Sequence, residues 1–307
     1  MKRQLCPRLE ALFGRLLLEI SSLIIWVTPE LFLYRVAKVL GVLLFLILGR
    51  QRRIAINNLE QAYTGKISSK QCYKIAQGCF INMAQSGAEL LGWLKRKHRV
   101  VEKVNFENLE ILKKALAQKN GVILVSAHLG NFPLIPVRLG FEAIKTAVIM
   151  RPIREARLIQ IFKEIPRQLD IELIPTVPRS ACVLAALRSL RNNRCLLLLL
   201  DQNFGTGGVF ADFFGRKAAT ATGPVVLAQR SNAVIIPCFI IRKPDNTHTI
   251  FFEPEFKITQ FSSEQETIVK NIQALTELIE NYIRRYPQQW TWIHRRWKVQ
   301  PRYLAQQ

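Results

Sequence analysis

The sequence predicts an α/β fold: a mixed, mostly parallel central sheet covered by helices, with membrane-associated helices at the N-terminus. Three observations lead there. From Asn105 onward, apolar runs of strand length alternate with segments whose apolar residues recur at helical spacing. Three of those runs stop at a polar residue, His128, Arg151 and Asp201, as strands do when they end on one rim of a sheet. Ahead of Arg50 lie two apolar stretches of near-membrane length.

The totals are consistent with this. A chain of 307 residues, 49% hydrophobic, makes one large or two small α/β domains with a sizeable core, and it excludes global disorder. Lys+Arg of 44 against Asp+Glu of 22 leaves a net charge of +22. Such a surface attracts nucleic acid, an anionic membrane or an acidic carrier protein. The six cysteines show neither a Cys-x-x-Cys pair nor zinc-ligand spacing, so no metal is expected and a reduced, cytoplasmic main body is the simplest account.

In order, the first apolar stretch (16–27) contains Glu19 and the second (31–49) contains Arg35 and Lys38, with Pro29 between them. As a helix, 31–48 reaches ~27 Å, close to a ~30 Å hydrocarbon core, and its two cations lie near one end where they snorkel. Basic residues flank both sides, which leaves one span and a membrane-seated hairpin both open. Residues 50–94 read as helical, with Ser68 or Ser69 as an internal cap. The charge run Lys95-Arg-Lys-His98-Arg99 reads as solvated surface or as a contact to lipid headgroups. Leu109, Leu112 and Leu116 mark a helix closed by Asn120-Gly121. Strands are expected at 122–125, 146–150, 171–174, 195–200, 234–241 and 249–252, and helices after His128 and at 181–190, 225–230 and 265–285.

The stretch Gly121-Val-Ile-Leu-Val-Ser-Ala-His128-Leu-Gly-Asn-Phe-Pro133 organises the rest. An imidazole at the C-terminal end of a strand, facing a helix start, can take a proton near neutral pH, while nearby backbone N–H groups offer themselves to an oxyanion. His128 is therefore the candidate general base. No Walker loop and no Gly-x-Ser-x-Gly elbow is present, and Ser126 falls inside a strand, so direct attack without a covalent acyl-enzyme is the economical mechanism. The loop Asp201-Gln-Asn-Phe-Gly205-Thr-Gly207-Gly208, with Phe210, Phe213 and Phe214 after it, suits close ligand approach and an apolar chain, although clustered phenylalanines also build cores. The C-terminal Trp290-Thr-Trp292-Ile-His294-Arg295-Arg296-Trp297-Lys298 interleaves aromatic and basic residues; both nucleic acid and a membrane interface fit that mixture, and the apolar N-terminus favours the membrane.

Taken together, His128-Leu-Gly-Asn-Phe, Met150-Arg151-Pro152, Asp201-Gln-Asn-Phe-Gly, Phe213-Phe214-Gly215, Ala219-Thr-Ala-Thr-Gly223, Ile236-Pro237 and Trp292-Ile-His-Arg-Arg-Trp-Lys298 resemble the late acyltransferases of lipid A biosynthesis, the lauroyl/myristoyl acyltransferase family. The resemblance runs from about Arg50 to Pro301. It implies a sheet related to glycerol-phosphate acyltransferases, with residues 1–49 as a membrane-anchoring segment and 50–307 as the acyltransferase domain. It implies a bacterial inner-membrane enzyme, active on the cytoplasmic face, that moves a fatty acyl chain from acyl carrier protein to a hydroxyl of a phosphorylated lipid A precursor. No cofactor beyond the carrier-protein thioester is expected, and nucleic acid is not expected as a partner. The family pattern places an acid five residues after the histidine; here Pro133 stands there, and Asp201 is the expected substitute. Gly130 and Asn131 are expected to hold the oxyanion. Arg151 is expected to grip a phosphate or the developing charge, and Gln202, Phe204, Phe213, Phe214, Arg295 and Arg296 to line the substrates. A lysophospholipid or other glycolipid acceptor, or a non-catalytic lipid-binding role, stand as the alternatives.

Overall fold

The computed structural model describes residues 28–93, 96–151 and 165–299. The first apolar stretch, 16–27, lies outside them, as do Lys95 and Pro152. The second forms helix α1 (Glu30–Ile47), which turns through 90° at Leu48 into α2 (Gly49–Tyr63). Arg52 reaches back to donate to the carbonyls of Phe45 (3.2 Å) and Leu46 (3.0 Å), acceptors that a helix end leaves open. Among the described residues no single helix is long and apolar enough to cross a membrane; α1 and α2 meet that length and composition only as a bent pair.

Helix α1 is apolar on two sides. One side packs on α3 (Ser69–Trp93): Gly41 lies so close to the Ile81 backbone that a Cβ would overlap it, and Phe45 meets Phe80 edge-on at 5.4 Å. The other side, Phe32, Val36, Val39, Leu40, Leu43, Leu46 and Ile47, forms one exposed stripe at helical spacing. Arg35 and Lys38 are exposed beside it. The break between α2 and α3 is set by Ser68. Its hydroxyl accepts from Gln71 N (3.3 Å) while Gln71 Oε1 accepts from Ser68 N (2.8 Å), a reciprocal capping box.

Beyond α4 (Lys97–Lys103) come β1 (Val104–Glu107), α5 (Leu109–Leu116), β2 (Val122–Ser126), α6 (Leu134–Phe141), β3 (Thr146–Met150), β4 (Ile171–Pro175), α7 (Arg179–Arg191) and β5 (Cys195–Leu199). Then follow the hairpin β6 (Val209–Phe213) and β7 (Arg216–Thr220), α8 (Gly223–Ser231), β8 (Val234–Arg242), β9 (His248–Phe252) and α9 (Glu264–Arg285). Among the described residues, seven strands form one sheet in the order β1-β9-β8-β2-β5-β3-β4, parallel except for the β8–β9 pair. Strand β1 was not expected: it is four residues long and buries only Val104 along its run, too little for an alternation to show.

The central strand β2 is buried throughout. Ile123 and Val125 face a core shared with α7, α8, α9 and the C-terminal tryptophans, whereas Val122 and Leu124 face a second core beneath α5 and α6. Helices thus cover both faces, which is why a parallel strand reads as an unbroken apolar run. From β2 the chain leaves by α6 on one face; from β5 it reaches α8 on the other. The point between β2 and β5 is therefore a topological switch, and the crevice at the carboxyl ends of those strands is where sheets of this kind hold ligands.

Candidate active site

The register puts Ser126 of β2 opposite Leu199 of β5, so His128 and Asp201, each two residues further on, face each other across the switch point. His128 Nδ1–H donates to Asp201 Oδ1 at 2.9 Å, and His128 N donates to Asp201 Oδ2 at 2.9 Å. A third donor, Trp290 Nε1, meets Oδ2 at 2.7 Å. Burial would raise the Asp201 carboxyl; the His128 charge and these hydrogen bonds outweigh it and hold the group below its ordinary value. The imidazole side chain keeps 21% of its surface, with the edge of Phe132 at 4.8 Å. With Nδ1 committed to the carboxylate, Nε2 is the nitrogen left for a substrate proton.

The backbone beneath His128 is clamped by the C-terminal segment. Thr291 N (3.2 Å) and Oγ1 (3.0 Å) both donate to His128 O, Leu129 bridges to Trp290, and Gly130 N donates to Gln289 O at 3.0 Å. Gly130 has a left-handed φ of 58°, and a Cβ there would overlap the Ile240 carbonyl, so glycine is required for shape.

One expected role changes as a result: Gly130 was expected to donate to an oxyanion, but its N–H is already spent on Gln289. The expectation at Asn131 concerned its backbone N–H; its side chain is fully buried, the amide donating to Glu89 Oε2 at 2.8 Å and to Ser86 O at 3.3 Å. Arg151 follows β3, next to β5, and is exposed on the same rim.

The aromatic and glycine-rich elements also differ from expectation. Phe213 and Phe214 are buried and pack on Trp290, Trp292 and Trp297, so they are core rather than the wall of an acyl site. They lie on the hairpin, whose two-residue turn at Phe214-Gly215 has positive φ at both positions, 54° and 71°. Trp290, Trp292 and Trp297 are buried and so do not serve as interfacial anchors. Gly208 packs on the Thr220 backbone, which ties the glycine-rich loop to the hairpin. Phe204 is 43% exposed beneath the Arg179 guanidinium. Arg296, expected at the substrate, is fully buried. It donates to Gln202 O (3.0 Å), Ala219 O (2.6 Å) and Thr220 Oγ1 (2.6 Å), and burial draws its pKa down to about 10. Gln202 thus serves through its carbonyl.

Arg295 is exposed and lines an open groove of about 360 Å³ with Arg50, Gln51, Ile54, Ile293, His294 and Lys298. His294 was given no role from sequence, yet it links groove and rim. Its Nε2 accepts from Asn203 N at 3.0 Å. Burial lowers its pKa; Asp201 opposes this, while His128, Arg296 and Arg151 add to it. Trp290, Thr291 and His294 all lie in the aromatic–basic stretch that drew notice for its surface chemistry; the missing signal was that its tryptophans are apolar enough to fold inward.

A family model, bacterial lipid A biosynthesis acyltransferase, matches residues 9–299. The chain belongs to this family. It is an acyltransferase. Among similar proteins, the lipid A biosynthesis palmitoleoyltransferase of Escherichia coli is 25% identical over 258 residues, 83% of this chain and 81% of that protein. The lipid A biosynthesis lauroyltransferase of the same organism is 24% identical over 286 residues, 91% and 90% of the two chains. The phosphatidylinositol mannoside acyltransferase of Mycobacterium tuberculosis is 28% identical over 130 residues, 42% of this chain and 41% of that one. Pro133, where the resemblance implies an acid, caps α6 with φ −63°, and the carboxylate beside His128 comes from just after β5.

Proposed function

We propose that this acyltransferase moves a fatty acyl group from acyl carrier protein to a hydroxyl of a phosphorylated lipid A precursor, at the cytoplasmic face of the bacterial inner membrane. The observation that carries the reading is the His128–Asp201 pair at the sheet's switch point, with Nδ1 taken by the carboxylate and the imidazole still partly exposed. The acceptor O–H gives its proton to Nε2 and the oxygen attacks the thioester carbonyl carbon. Asp201 keeps the proton on Nδ1 and stabilises the imidazolium. Arg151, the exposed cation on the rim, faces the developing oxyanion. Collapse breaks the C–S bond, and the leaving thiolate takes the proton back from Nε2. The basic groove of Arg50, Arg295 and Lys298 suits the acceptor's phosphates, and the apolar stripe of α1 suits the bilayer that holds its chains.

The test is transfer of labelled acyl chain from acyl carrier protein to purified lipid A precursor. Wild type transfers, and His128→Ala loses most of that turnover; full turnover by His128→Ala overturns the reading. A panel that includes lysophospholipid and phosphatidylinositol mannoside acceptors distinguishes the alternative acceptors. Mass spectrometry of lipid A from a deletion strain shows which chain disappears.

A further inference from the structure

A second histidine–carboxylate cluster lies sealed inside the molecule, and the mechanism above does not use it. Glu89, on α3, is fully buried and accepts from four side chains. These are Tyr34 Oη on α1 (2.8 Å), Asn131 Nδ2 (2.8 Å), His248 Nε2 at the start of β9 (3.1 Å), and Arg242 at the end of β8. Arg242 also donates to Asn82 Oδ1 (3.1 Å) and Ser86 Oγ (3.0 Å). Burial alone would raise the Glu89 carboxyl, but His248 and Arg242 hold it down at about 2, so it is an anion at every physiological pH.

Buried ion clusters contribute little stability over apolar packing of the same shape, so a reason beyond stability is needed for this one. Its connections supply a reason. Asn131 stands three residues after His128 in the same loop. Gln289 accepts from Gly130 N through its carbonyl, and its side chain clamps Arg242, accepting from Arg242 N (2.9 Å) and donating to Arg242 O (2.9 Å). Beside the Thr291, Trp290 and Asp201 contacts, the loop's Asn131 and Gly130 ties thus lead to the Glu89–Arg242 pair. Tyr34 brings in α1, whose far side is the exposed apolar stripe.

We propose that Glu89 is a positioning residue: through Asn131 it fixes the loop that presents His128, and through Tyr34 it fixes that loop relative to the apolar-faced helix α1. This rests on His128 acting as the base. A misplacement of about 1 Å at such a site can cost on the order of 100-fold in rate with binding untouched.

The experiment compares Asn131→Ala, Glu89→Gln, their double variant and Tyr34→Phe with wild type and His128→Ala, using acyl carrier protein thioester and vesicle-embedded acceptor. Rates are normalised to folded protein. Asn131→Ala leaves Glu89 three donor residues but also vacates Ser86 O and a buried volume, so its thermal midpoint falls by a few degrees while the variant stays folded. Its kcat falls about 10- to 100-fold with KM for either substrate within about twofold. Tyr34→Phe lowers kcat by about two- to tenfold. The double variant is no slower than its slower parent, because both changes act through one hydrogen bond. If Glu89→Gln does not fold, Asn131→Ala and Tyr34→Phe carry the test. Wild-type kcat in folded Asn131→Ala overturns the proposal, as does a change confined to KM. Full turnover by His128→Ala would instead overturn the general-base reading itself.

Discussion

Two carboxylates sit within reach of the His128 loop, each paired with a histidine, in opposite surroundings. Asp201 meets His128 at 2.9 Å, and Glu89 meets His248 at 3.1 Å. Both are buried, and both are held below their ordinary values against the cost of burial. The difference lies in the histidines. His128 keeps 21% of its side-chain surface and has one ring nitrogen not used on Asp201; His248 is fully enclosed. Asp201 spends two of its three hydrogen bonds on one residue, His128, whereas Glu89 spreads its bonds over four residues from separate parts of the fold. A histidine–carboxylate contact therefore does not by itself mark chemistry. Access to the second nitrogen does.

The sharpest way to break that distinction is at the rim. His128→Ala is expected to cut kcat/KM by roughly 10²–10⁴, the usual worth of a general base, with the thermal midpoint little changed. Asp201→Asn should cost less, about 10²-fold, because the imidazole remains but loses the anion that orients it. Turnover near wild type in Asp201→Asn would remove Asp201 from the mechanism.

Acid stability distinguishes the same groups more gently. Asp201 and Glu89 have depressed folded pKa values. The stability they contribute is complete above their unfolded values near ~4 and is lost as pH falls through the folded ones, about 2 for Glu89. His294 is also lowered, here by burial of the neutral ring. The unfolded chain takes its proton first, so stability starts to fall as pH drops below ~6.5. Urea unfolding across this range should show two declines. His294→Gln should flatten the upper one and Asp201→Asn the lower. A His294→Gln profile parallel to wild type between pH ~7 and ~5 would contradict the first assignment.

What the sequence made legible follows from how local each signal is. The strands ending at His128, Arg151 and Asp201 could be read because apolar runs of parallel strands stop abruptly, and the rim they share needs only strand order to assemble. Asp201 was within reach because Pro133 left the histidine without its customary acid. Glu89 was not. It lies mid-helix among Ser86 and Leu90, Arg242 closes β8, and His248 opens β9 after the turn between them, so nothing along the chain joins Glu89 to either. The hairpin was missed because Phe213 and Phe214 read as a ligand wall; Gly215 was the turn signal. The tryptophans of the C-terminal stretch suit both an interface and a core, and only the close fit against Asp201 and the hairpin decides for the core.

The last expected effect falls on membrane partitioning rather than turnover and concerns α1, whose two faces repeat the contrast in apolar form. The face on α3 is packed; the opposite face leaves Val39 60% and Leu43 47% exposed. Replacing these largely exposed apolar side chains removes little packing within the fold, so Val39→Ser with Leu43→Ser should leave the thermal midpoint close to wild type. If the stripe sits in a bilayer, each change forfeits about 1–2 kcal/mol of apolar burial there, and vesicle partitioning should weaken by roughly tenfold per residue. Arg35 and Lys38 flank the stripe, so their replacement by Gln should weaken binding to anionic vesicles more than to neutral ones, an effect that salt screens. Co-sedimentation with vesicles of both compositions measures this. Unchanged partitioning of the double serine variant would show that α1's outer face meets something other than lipid, and the coupling from Tyr34 to Glu89 would then convey no information about the membrane.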